Sequence, residues 1–331
     1  MLLKRLASTI PVLLGISFVI VVLLRVAPGD PSQMLLGGMA TPEEVAALRE
    51  KLGLDQPLLV QYWLFIKHAA MLDFGTSFRY QEPAFSLFLE RLPATIELTV
   101  ASLLVALTIA IPIGVISAAR HNSWFDHIGM ALTFAGASMP TFWLGIMLMV
   151  LFGSYLNILP VSGRLDAGIG LRDITGLYLV DSLLTLNRPA FVNALQHLIM
   201  PALTLGIVLS AIVARVARSS MLEVIRQDYV TTARTKGLPE RTVIWKHCLR
   251  NALCSVVTVI GLQLGGLLAG SIVIETVFAW PGVGSLLIQA VSLRDYQLVQ
   301  CVVVLLAVIY VLINLAVDLL YRVIDPRISV Q

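Results

Sequence analysis

Long uncharged stretches alternate along the chain with short charged ones. Six stretches contain no Asp, Glu, Lys or Arg: Leu6–Leu24, Leu98–Ala119, Ile128–Gly163, Leu198–Ala214, Asn251–Ile274 and Tyr296–Val317. A helix that spans a membrane needs about 20 apolar residues. The third stretch is too long for one span, so we expect its end near Pro160 to leave the membrane. The pattern predicts an all-α polytopic membrane protein with six transmembrane helices.

The first stretch follows Lys4 and Arg5, as the core of a signal peptide would. However, it is longer than such a core, which has about 7–15 apolar residues and is followed by a small-residue cleavage site. Pro28-Gly29-Asp30-Pro31 follows instead. We therefore expect residues 1–27 to form a retained first transmembrane helix, and a cleaved signal peptide is the alternative.

Residues 28–94 differ in kind, because polar and apolar residues alternate there among 13 charges. Thr41 and Glu44 have the spacing of a capping box, which predicts a helix near residues 42–52. This segment is expected to be a small insert exposed to solvent. Residues 95–331 hold the other five predicted spans.

The composition supports a membrane protein and limits its chemistry. Hydrophobic residues make up 58% of the chain and charged residues 13%, whereas soluble domains have about 25% charged residues. The five histidines form no HExxH pattern, so an intramembrane metallohydrolase is not predicted. The three cysteines have no CxxC spacing, which argues against a disulfide framework or a thiolate metal site: Cys248, Cys254 and Cys301.

The distribution of basic residues predicts the orientation of the spans. With the N-terminus inside the cell, the cytoplasmic segments carry 13 Lys and Arg in 60 residues, and the opposite segments carry 10 in 132. We therefore expect both termini and the segment Arg215–Arg250 to be cytoplasmic. That segment alone holds eight of the 23 basic residues.

The start of this basic segment has the pattern of a short amphipathic helix. Ser220 and Glu223 match a capping box, and Leu222, Ile225 and Tyr229 follow at helical spacing. The pattern predicts that a short helix begins at Ser220.

A second short helix is expected after a break. Lys236 and Gly237 are typical of a helix end, and Pro239 suits the first turn of the next helix. Two short helices that meet at a glycine would form a protrusion able to enter a groove on a partner. The alternative is an ordinary cytoplasmic loop whose basic residues bind anionic lipid.

The fifth uncharged stretch contains two GxxxG patterns, which allow helix backbones to approach closely. The four glycines are Gly261, Gly265, Gly266 and Gly270. We expect them to pack against another helix, and lining of a solute pathway is the alternative. Pro112 and Pro140 lie inside uncharged stretches and are expected to kink their helices.

After the fifth stretch, Trp280, Pro281 and Gly282 predict a tight turn into a short helix, with Trp280 at the level of the lipid headgroups. Three acids lie near ends of the predicted spans: Glu97, Glu275 and Asp318. We expect all three to be solvated, and Asp318 to pair with Arg322; contact with the solute is the alternative.

Several ordered motifs resemble those of one transporter family. Asp228-Tyr229-Val230, Ala233 and Lys236-Gly237 resemble the cytoplasmic "EAA" loop of ABC importer permeases, in the form found in the dipeptide, oligopeptide and nickel family. Thr232 stands where that loop usually has alanine. Further matching motifs are PGDP at 28–31, LGLDQP at 52–57, DFGTS at 73–77, LPATIEL at 92–98, SMPTFW at 138–143, RSSMLEV at 218–224, ETVFAWPGVG at 275–284, NLAVDLLY at 314–321 and DPRI at 325–328.

Within that family, the chain is most similar to the B-type permease subunit of dipeptide transporters. The resemblance implies a type I ABC importer permease fold, with a periplasmic insert at 28–94 and a permease core at 95–331 that carries a docking loop at 219–252. The loop residues expected to face the ATPase are Glu223, Asp228, Tyr229, Ala233, Lys236 and Gly237. The turn at Trp280, Pro281 and Gly282 is expected near the external gate.

The resemblance also implies partners. A second homologous permease subunit would complete a heterodimer, two ABC ATPase subunits would bind ATP and Mg²⁺, and a periplasmic binding protein would deliver the solute. The chain itself has no GxxxxGK[ST] phosphate loop, so it is not expected to be an enzyme or to hold a cofactor or a metal. The expected location is the bacterial inner membrane, and no nucleic acid partner is expected.

Two alternatives to peptide import remain open. The same machinery could import nickel or a metal chelate, although no cluster of His or Cys along the chain favours one. An ion-coupled secondary carrier is the alternative of another class. Such carriers usually place acids, His or broken helix ends at mid-membrane, and groups of this kind are few here.

Overall fold

The structure is a computed structural model, and it describes residues 2–26, 41–51 and 55–324. In this part of the chain the backbone is mostly helical. The helices are α1 (Leu2–Val26), α2 (Pro42–Lys51), α3 (Leu58–Ala70), α4 (Ala84–Ala119), α5 (Trp124–Ser138), α6 (Thr141–Tyr155), α7 (Tyr178–Leu184), α8 (Arg188–Ile225), α9 (Asp228–Thr235), α10 (Glu240–Val277), α11 (Val283–Ser292) and α12 (Tyr296–Ile324). The motifs PGDP and DPRI, and part of LGLDQP, lie outside the described residues.

Five of these helices are long and apolar enough to cross a membrane, namely α1, α4, α8, α10 and α12. A sixth span is formed if α5 and α6 count as one. These two helices meet at an angle of 103°, at the break formed by Met139 and Pro140. The prediction of an all-α polytopic fold is thus confirmed.

The third uncharged stretch is divided differently from the prediction. We expected a span that ends near Pro160, but the helix breaks at Pro140 and α6 ends at Tyr155. Pro140 causes the break because proline restricts the preceding residue to extended backbone, and Met139 has ψ 136°. Pro112, by contrast, lies within the uninterrupted helix α4.

Three of the described helices begin well before their uncharged stretches, and one of them is α10, which begins at Glu240. Of the other two, α4 begins at Ala84 and α8 at Arg188. The predicted boundary between residues 94 and 95 therefore lies inside α4. The chain forms two compact units, which are Met1–Leu92 with Ser285–Leu312 and Pro93–Gly284 with Ile313–Gln331.

In the first unit, α1 packs against α3 through Tyr62. The Tyr62 hydroxyl donates a hydrogen bond to the Leu14 carbonyl at 2.8 Å, and the rings of Phe18 and Tyr62 meet edge to face at 5.2 Å. The predicted capping box is confirmed at the start of α2. Thr41 N donates to Glu44 Oε2 at 2.9 Å, and Glu44 N donates to Thr41 Oγ1 at 3.3 Å.

The second unit is built around α8, which contributes a long row of buried residues to its core. Leu98 of α4, Met200 of α8 and Ile274 of α10 are among the buried residues of this core. Small residues let the helices approach closely. A Cβ on Gly206 of α8 would clash with the Val105 side chain of α4.

The four glycines of α10 do not have one common role. A Cβ on Gly261 would clash with the Val317 side chain of α12, so this glycine provides the expected close packing. Gly270 lies near Leu205, Gly265 is half-buried, and Gly266 is exposed with open space where a Cβ would lie. Gly261 of the first pattern therefore packs closely against another helix, whereas Gly266 of the second does not.

We predict that Gly261→Val destabilises the protein and Gly266→Ala does not. Extra methyl groups in a packed contact cost about 1–3 kcal/mol, and Gly261 has no room for them. At Gly266 the space is open, and Ala favours a helix by about 1 kcal/mol relative to Gly. Thermal unfolding in detergent would measure both variants. Equal midpoints for Gly261→Val and the wild type would contradict the packing role.

Candidate functional site

The basic segment Arg215–Arg250 contains the end of α8, the short helix α9 and the start of α10. α8 runs without a break through Ser220 to Ile225, a turn follows at Arg226 and Gln227, and then α9 begins. The prediction of a helix start at Ser220 is therefore wrong. A capping box needs a non-helical first residue, and Ser220 is a buried residue of a continuing helix.

The predicted end and restart around Gly237 are confirmed in their local geometry. Lys236 is the C-cap of α9, and Gly237 has φ +75°, the left-handed conformation that favours glycine. Pro239 then starts the next helix. That helix is not short, because it continues as α10 through a π-helical stretch at Val243–Cys248 and on to Val277. The segment is thus attached directly to two long helices, α8 and α10.

One face of α9 packs into a small core, and the other is exposed. Val230 is fully buried and Ala233 is 8% exposed. They pack among residues from the ends of α4, α8 and α10, which are Val115, Ala118, Met221, Val243, Ile244, Cys248 and Ala252. We call this group the docking core. It fixes α9 to three long helices at once.

The remaining predicted docking residues lie at the surface. Asp228, Tyr229, Lys236 and Gly237 are exposed around α9, and Glu223 is exposed on the last turn of α8. Ala233 differs from them, because it faces the docking core. Exposed apolar side chains lie in the same region and were not identified from the sequence: Leu238 and Trp245.

Two contacts hold the exposed side of the segment. Arg234 donates to Glu240 through Nε at 3.1 Å and Nη2 at 2.7 Å, which bridges the turn at Gly237. This hydrogen bonding to Glu240 raises the pKa of Arg234. Asn251 Nδ2 donates to the Tyr229 hydroxyl at 2.6 Å. The Arg234–Glu240 pair is solvated, so it contributes at most about 1 kcal/mol.

The turn after α10 is built over a buried carboxylate. Glu275 is 0% exposed and accepts a hydrogen bond from Thr95 Oγ1 at 2.7 Å. Thr95 Oγ1 in turn accepts from Val283 N at 2.8 Å. A Cβ on Gly282 or on Gly284 would collide with the Glu275 carboxyl group. The two glycines therefore let the turn close onto the carboxylate.

Two predictions about this turn are wrong. Trp280 does not face the lipid headgroups, because it is 1% exposed within the core and its Nε1 donates to the Ala94 carbonyl at 2.9 Å. Glu275 is not solvated, since its carboxylate has partners inside the protein. The predicted tight turn and the short helix that follows it, α11, are confirmed. Their signal was the Pro-Gly pair at 281–282.

A second buried acid pairs with an arginine that the sequence patterns did not single out. Arg164 Nη2 donates to Glu97 Oε2 at 2.6 Å and to the Gly176 carbonyl at 2.9 Å. The guanidinium lies 3.7 Å from the centroid of the Tyr178 ring, a favourable cation–π position. Glu97 is 8% exposed, so the expectation that it would be solvated is also wrong. The side chain of Asp318, the third acid, lies outside the described residues.

Arg164 lies in the loop between α6 and α7. Another acid, Asp181 in α7, holds the end of this loop by hydrogen bonds. Burial raises the pKa of its carboxyl, but hydrogen bonds from the Thr175 hydroxyl and from the backbone N–H groups of Ile174, Thr175 and Gly176 outweigh it and hold the pKa below its usual range. The loop is also joined to the turn after α10, because Gly163 N donates to the Phe278 carbonyl at 3.0 Å.

We use the name docking segment for α9 together with the turn at Gly237. The docking segment and the turn after α10 lie at opposite ends of α10. α10 has 38 residues between Glu240 and Val277, which corresponds to about 57 Å of helix. Among the described residues, no cluster of three His, Cys, Asp or Glu could hold a metal ion. The helix α10 therefore has an exposed surface near its start and a closely packed turn after its end.

Comparison with known proteins gives the family. A family model described as "Binding-protein-dependent transport system inner membrane component" matches residues 110–330, and a model for the N-terminal part of such membrane components matches residues 1–99. The chain is 44% identical over 326 residues to the dipeptide transport system permease protein DppB of Alkalihalophilus pseudofirmus, with 98% of each chain covered. It is 40% identical to the glutathione transport system permease protein GsiC of Salmonella choleraesuis, with 98% and 97% covered.

A solved structure has the same fold. The inward-facing MetNI methionine ABC transporter matches with a TM-score of 0.56 and 19% identity, over 72% of this chain and 96% of the other. The fold and the matches define a multi-pass, non-catalytic membrane subunit of an ABC transporter. Within that class, the chain belongs to the family of inner membrane components of binding-protein-dependent transport systems.

We predict that Glu97→Gln destabilises the protein far more than Glu240→Gln. Removal of the Glu97 charge leaves Arg164 buried without its counterion, at a cost of about 3–5 kcal/mol. The matched change at Glu240 breaks a solvated pair and costs at most about 1 kcal/mol. Denaturant unfolding in detergent would compare the two. Equal free energies of unfolding for the two variants would contradict a buried ion pair between Glu97 and Arg164.

Proposed function

We propose that this chain is the permease subunit of an ATP-driven importer of di- or oligopeptides. The proposal on the solute rests on the relatives, whose names refer to dipeptides, to di- and tripeptides and to glutathione. All of these are short peptides. Each relative is aligned over nearly its whole length, so the similarity includes the helices and the turn after α10.

The observation that carries the mechanism is the attachment of α9. Its inner face is fixed in the docking core, and its outer face is exposed with Asp228, Tyr229 and Lys236. A segment of this kind transmits displacement to the long helices α8 and α10 because its inner face is packed against both of them. In the proposed mechanism, closure of two ATPase subunits that bind ATP and Mg²⁺ pushes the docking segment, and the helices change between inward- and outward-open states.

The remaining parts of the proposed assembly are those that membership of the family implies. A second homologous permease subunit completes the pathway, and a periplasmic binding protein delivers the peptide to the outer side. Both termini and the docking segment are cytoplasmic in this arrangement, and the turn at Trp280, Pro281 and Gly282 lies near the external gate. The membrane is the bacterial inner membrane. Glycines of α10 other than Gly261 are available to line the pathway.

The solute is tested by reconstitution of the complete complex in liposomes with its binding protein. We expect uptake of a labelled dipeptide that requires ATP on the side of the membrane where the ATPase subunits lie. Uptake of a nickel chelate in place of the dipeptide would favour the metal alternative. Uptake driven by a proton or sodium gradient without ATP would contradict the proposal.

The docking role is tested at Gly237. Gly237→Ala forces a residue with a Cβ into the left-handed region, at a cost of about 1–2 kcal/mol. Gly237→Pro cannot adopt a positive φ at all. We expect both to reduce the amount of ATPase subunits retained on the purified permease, and the proline variant to reduce it more.

Gly163→Ala is the matched control. Gly163 also has a positive φ, of +82°, and no atom within 4 Å of an added Cβ, so the strain is similar but lies outside the docking segment. This variant should retain the ATPase subunits at the wild-type level. Equal retention by all three variants would show that the segment does not bind them.

A further inference from the structure

An ion pair joins the end of α8 near the docking core to α5, the first helix of the bent pair α5 and α6. Arg218 of α8 donates to Asp126 of α5 through Nε at 2.6 Å and through Nη2 at 2.7 Å. Asn122 N also donates to Asp126 Oδ2 at 3.1 Å. Asp126 is buried in the first turn of α5, whose N-cap is Ser123.

Arg218 lies where displacement of the docking segment would first reach the long helices. Met221 belongs to the docking core and lies one turn further along α8. Ala217 touches α4, because a Cβ on Gly114 would lie 2.6 Å from the Ala217 Cβ. The ion pair is therefore on the part of α8 that is continuous with the docking segment.

The helix that Asp126 begins lies along α8. Arg215 of α8 lies over the Phe134 ring of α5, at 5.3 Å from its centroid. A Cβ on Gly136 of α5 would lie 2.8 Å from Ile207 Cγ2. These contacts are apolar or weakly directional. The pair between Asp126 and Arg218 is the contact here that fixes orientation, because two parallel charged hydrogen bonds restrict rotation as well as distance.

The far end of the bent pair touches the turn after α10. Beyond the 103° break, a Cβ on Gly145 of α6 would lie 3.1 Å from the Phe278 ring. Phe278 immediately follows α10, and its carbonyl accepts the hydrogen bond from Gly163. The helices α5 and α6 therefore connect the region of the docking core with the turn by a route separate from α10.

We propose that the ion pair between Asp126 and Arg218 is the joint by which the docking segment moves α5 and α6 together with α8. The proposal rests on the proposed function, since it assumes that ATP hydrolysis displaces the docking segment. Asp126 and Arg218 are positioning residues, which act through the helices and do not touch the solute. Without the joint, α8 moves and α5 does not follow.

The first test is the number of peptides imported per ATP hydrolysed by the reconstituted complex. Arg218→Lys keeps the charge but cannot form the two parallel bonds, and Asp126→Asn removes the charge. We expect a loss of about tenfold in this ratio, as for a lost charge-assisted hydrogen bond, with ATP hydrolysis preserved. The double variant should lose no more than either single variant, because both remove one interaction.

Arg215→Lys is the control, since it makes the same substitution one turn earlier on α8 and keeps a cation beside Phe134. It should leave the ratio unchanged. A wild-type ratio in Arg218→Lys would overturn the proposal. Failure of both single variants to assemble would also overturn it, because the pair would then be needed for folding and not for coupling.

The second test does not depend on the solute. Spin labels at the exposed residues Ile128 of α5 and Ser219 of α8 report the distance between these helices, with and without trapped ATP. We expect one distance in both states of the wild type, and a distance that changes with ATP in Arg218→Lys. Equal behaviour of both proteins would overturn the joint. Absence of peptide uptake by the wild type would contradict the proposed function instead.

Discussion

The structure depends on the requirement that polar groups inside an apolar protein find their partners within the chain. A buried charge without a partner is costly, and in a membrane there is no hydrophobic force that drives one helix onto another. Several buried acids among the described residues meet this requirement with partners far away in sequence, and three of them lie in the second unit. Glu97 pairs with Arg164, Asp126 with Arg218, and Glu275 with Thr95. Each of these contacts determines which elements must lie side by side.

The same requirement keeps the long helices continuous. Within α10, every internal backbone N–H can be satisfied by the helix itself, whereas a break at membrane depth would leave several without partners. The helix changes its hydrogen-bond pattern, without a break, in the π-helical stretch at Val243–Cys248. One continuous helix, α10, thus joins the docking segment at its start to the turn over Glu275 at its end.

Sequence patterns predicted the features that depend on local composition. The six uncharged stretches located the spans, Thr41 and Glu44 located α2, and Gly237 located the end of α9. Helix starts were predicted less well. The stretch at Leu98 gave no sign that α4 begins at Ala84, because a helix can continue through charged residues once its apolar face is covered. Ser220 and Glu223 have the residue types and spacing of a capping box. However, a cap requires a non-helical backbone at its first residue, and Ser220 lies inside a helix.

The contacts between distant residues could not be predicted from single positions. Trp280 was expected at the lipid headgroups because Trp is common there, but its partner is the carbonyl of Ala94, 186 residues earlier. The partner of Arg164 could not be predicted from the residues around it. Its Nη2 lies 2.6 Å from Oε2 of Glu97, which is 67 residues earlier in the chain. The positions of Glu97 and Glu275 near the ends of uncharged stretches indicated solvated acids, although both are buried with partners inside the protein. Which partner they have is a property of the fold.

The two ion pairs near the docking core differ in strength because they differ in exposure. This difference determines which pair separates first when a partner displaces α9. The Arg234–Glu240 pair across Gly237 is solvated, so water can replace either partner at little cost. In the Asp126–Arg218 pair the carboxylate side chain is only 3% exposed, and separation would leave a buried charge without compensation. A force applied to α9 would therefore open the contact at its exposed side before it separated α5 from α8. The weak pair allows the docking segment to adjust to a partner, and the strong pair preserves the arrangement of the helices that must move.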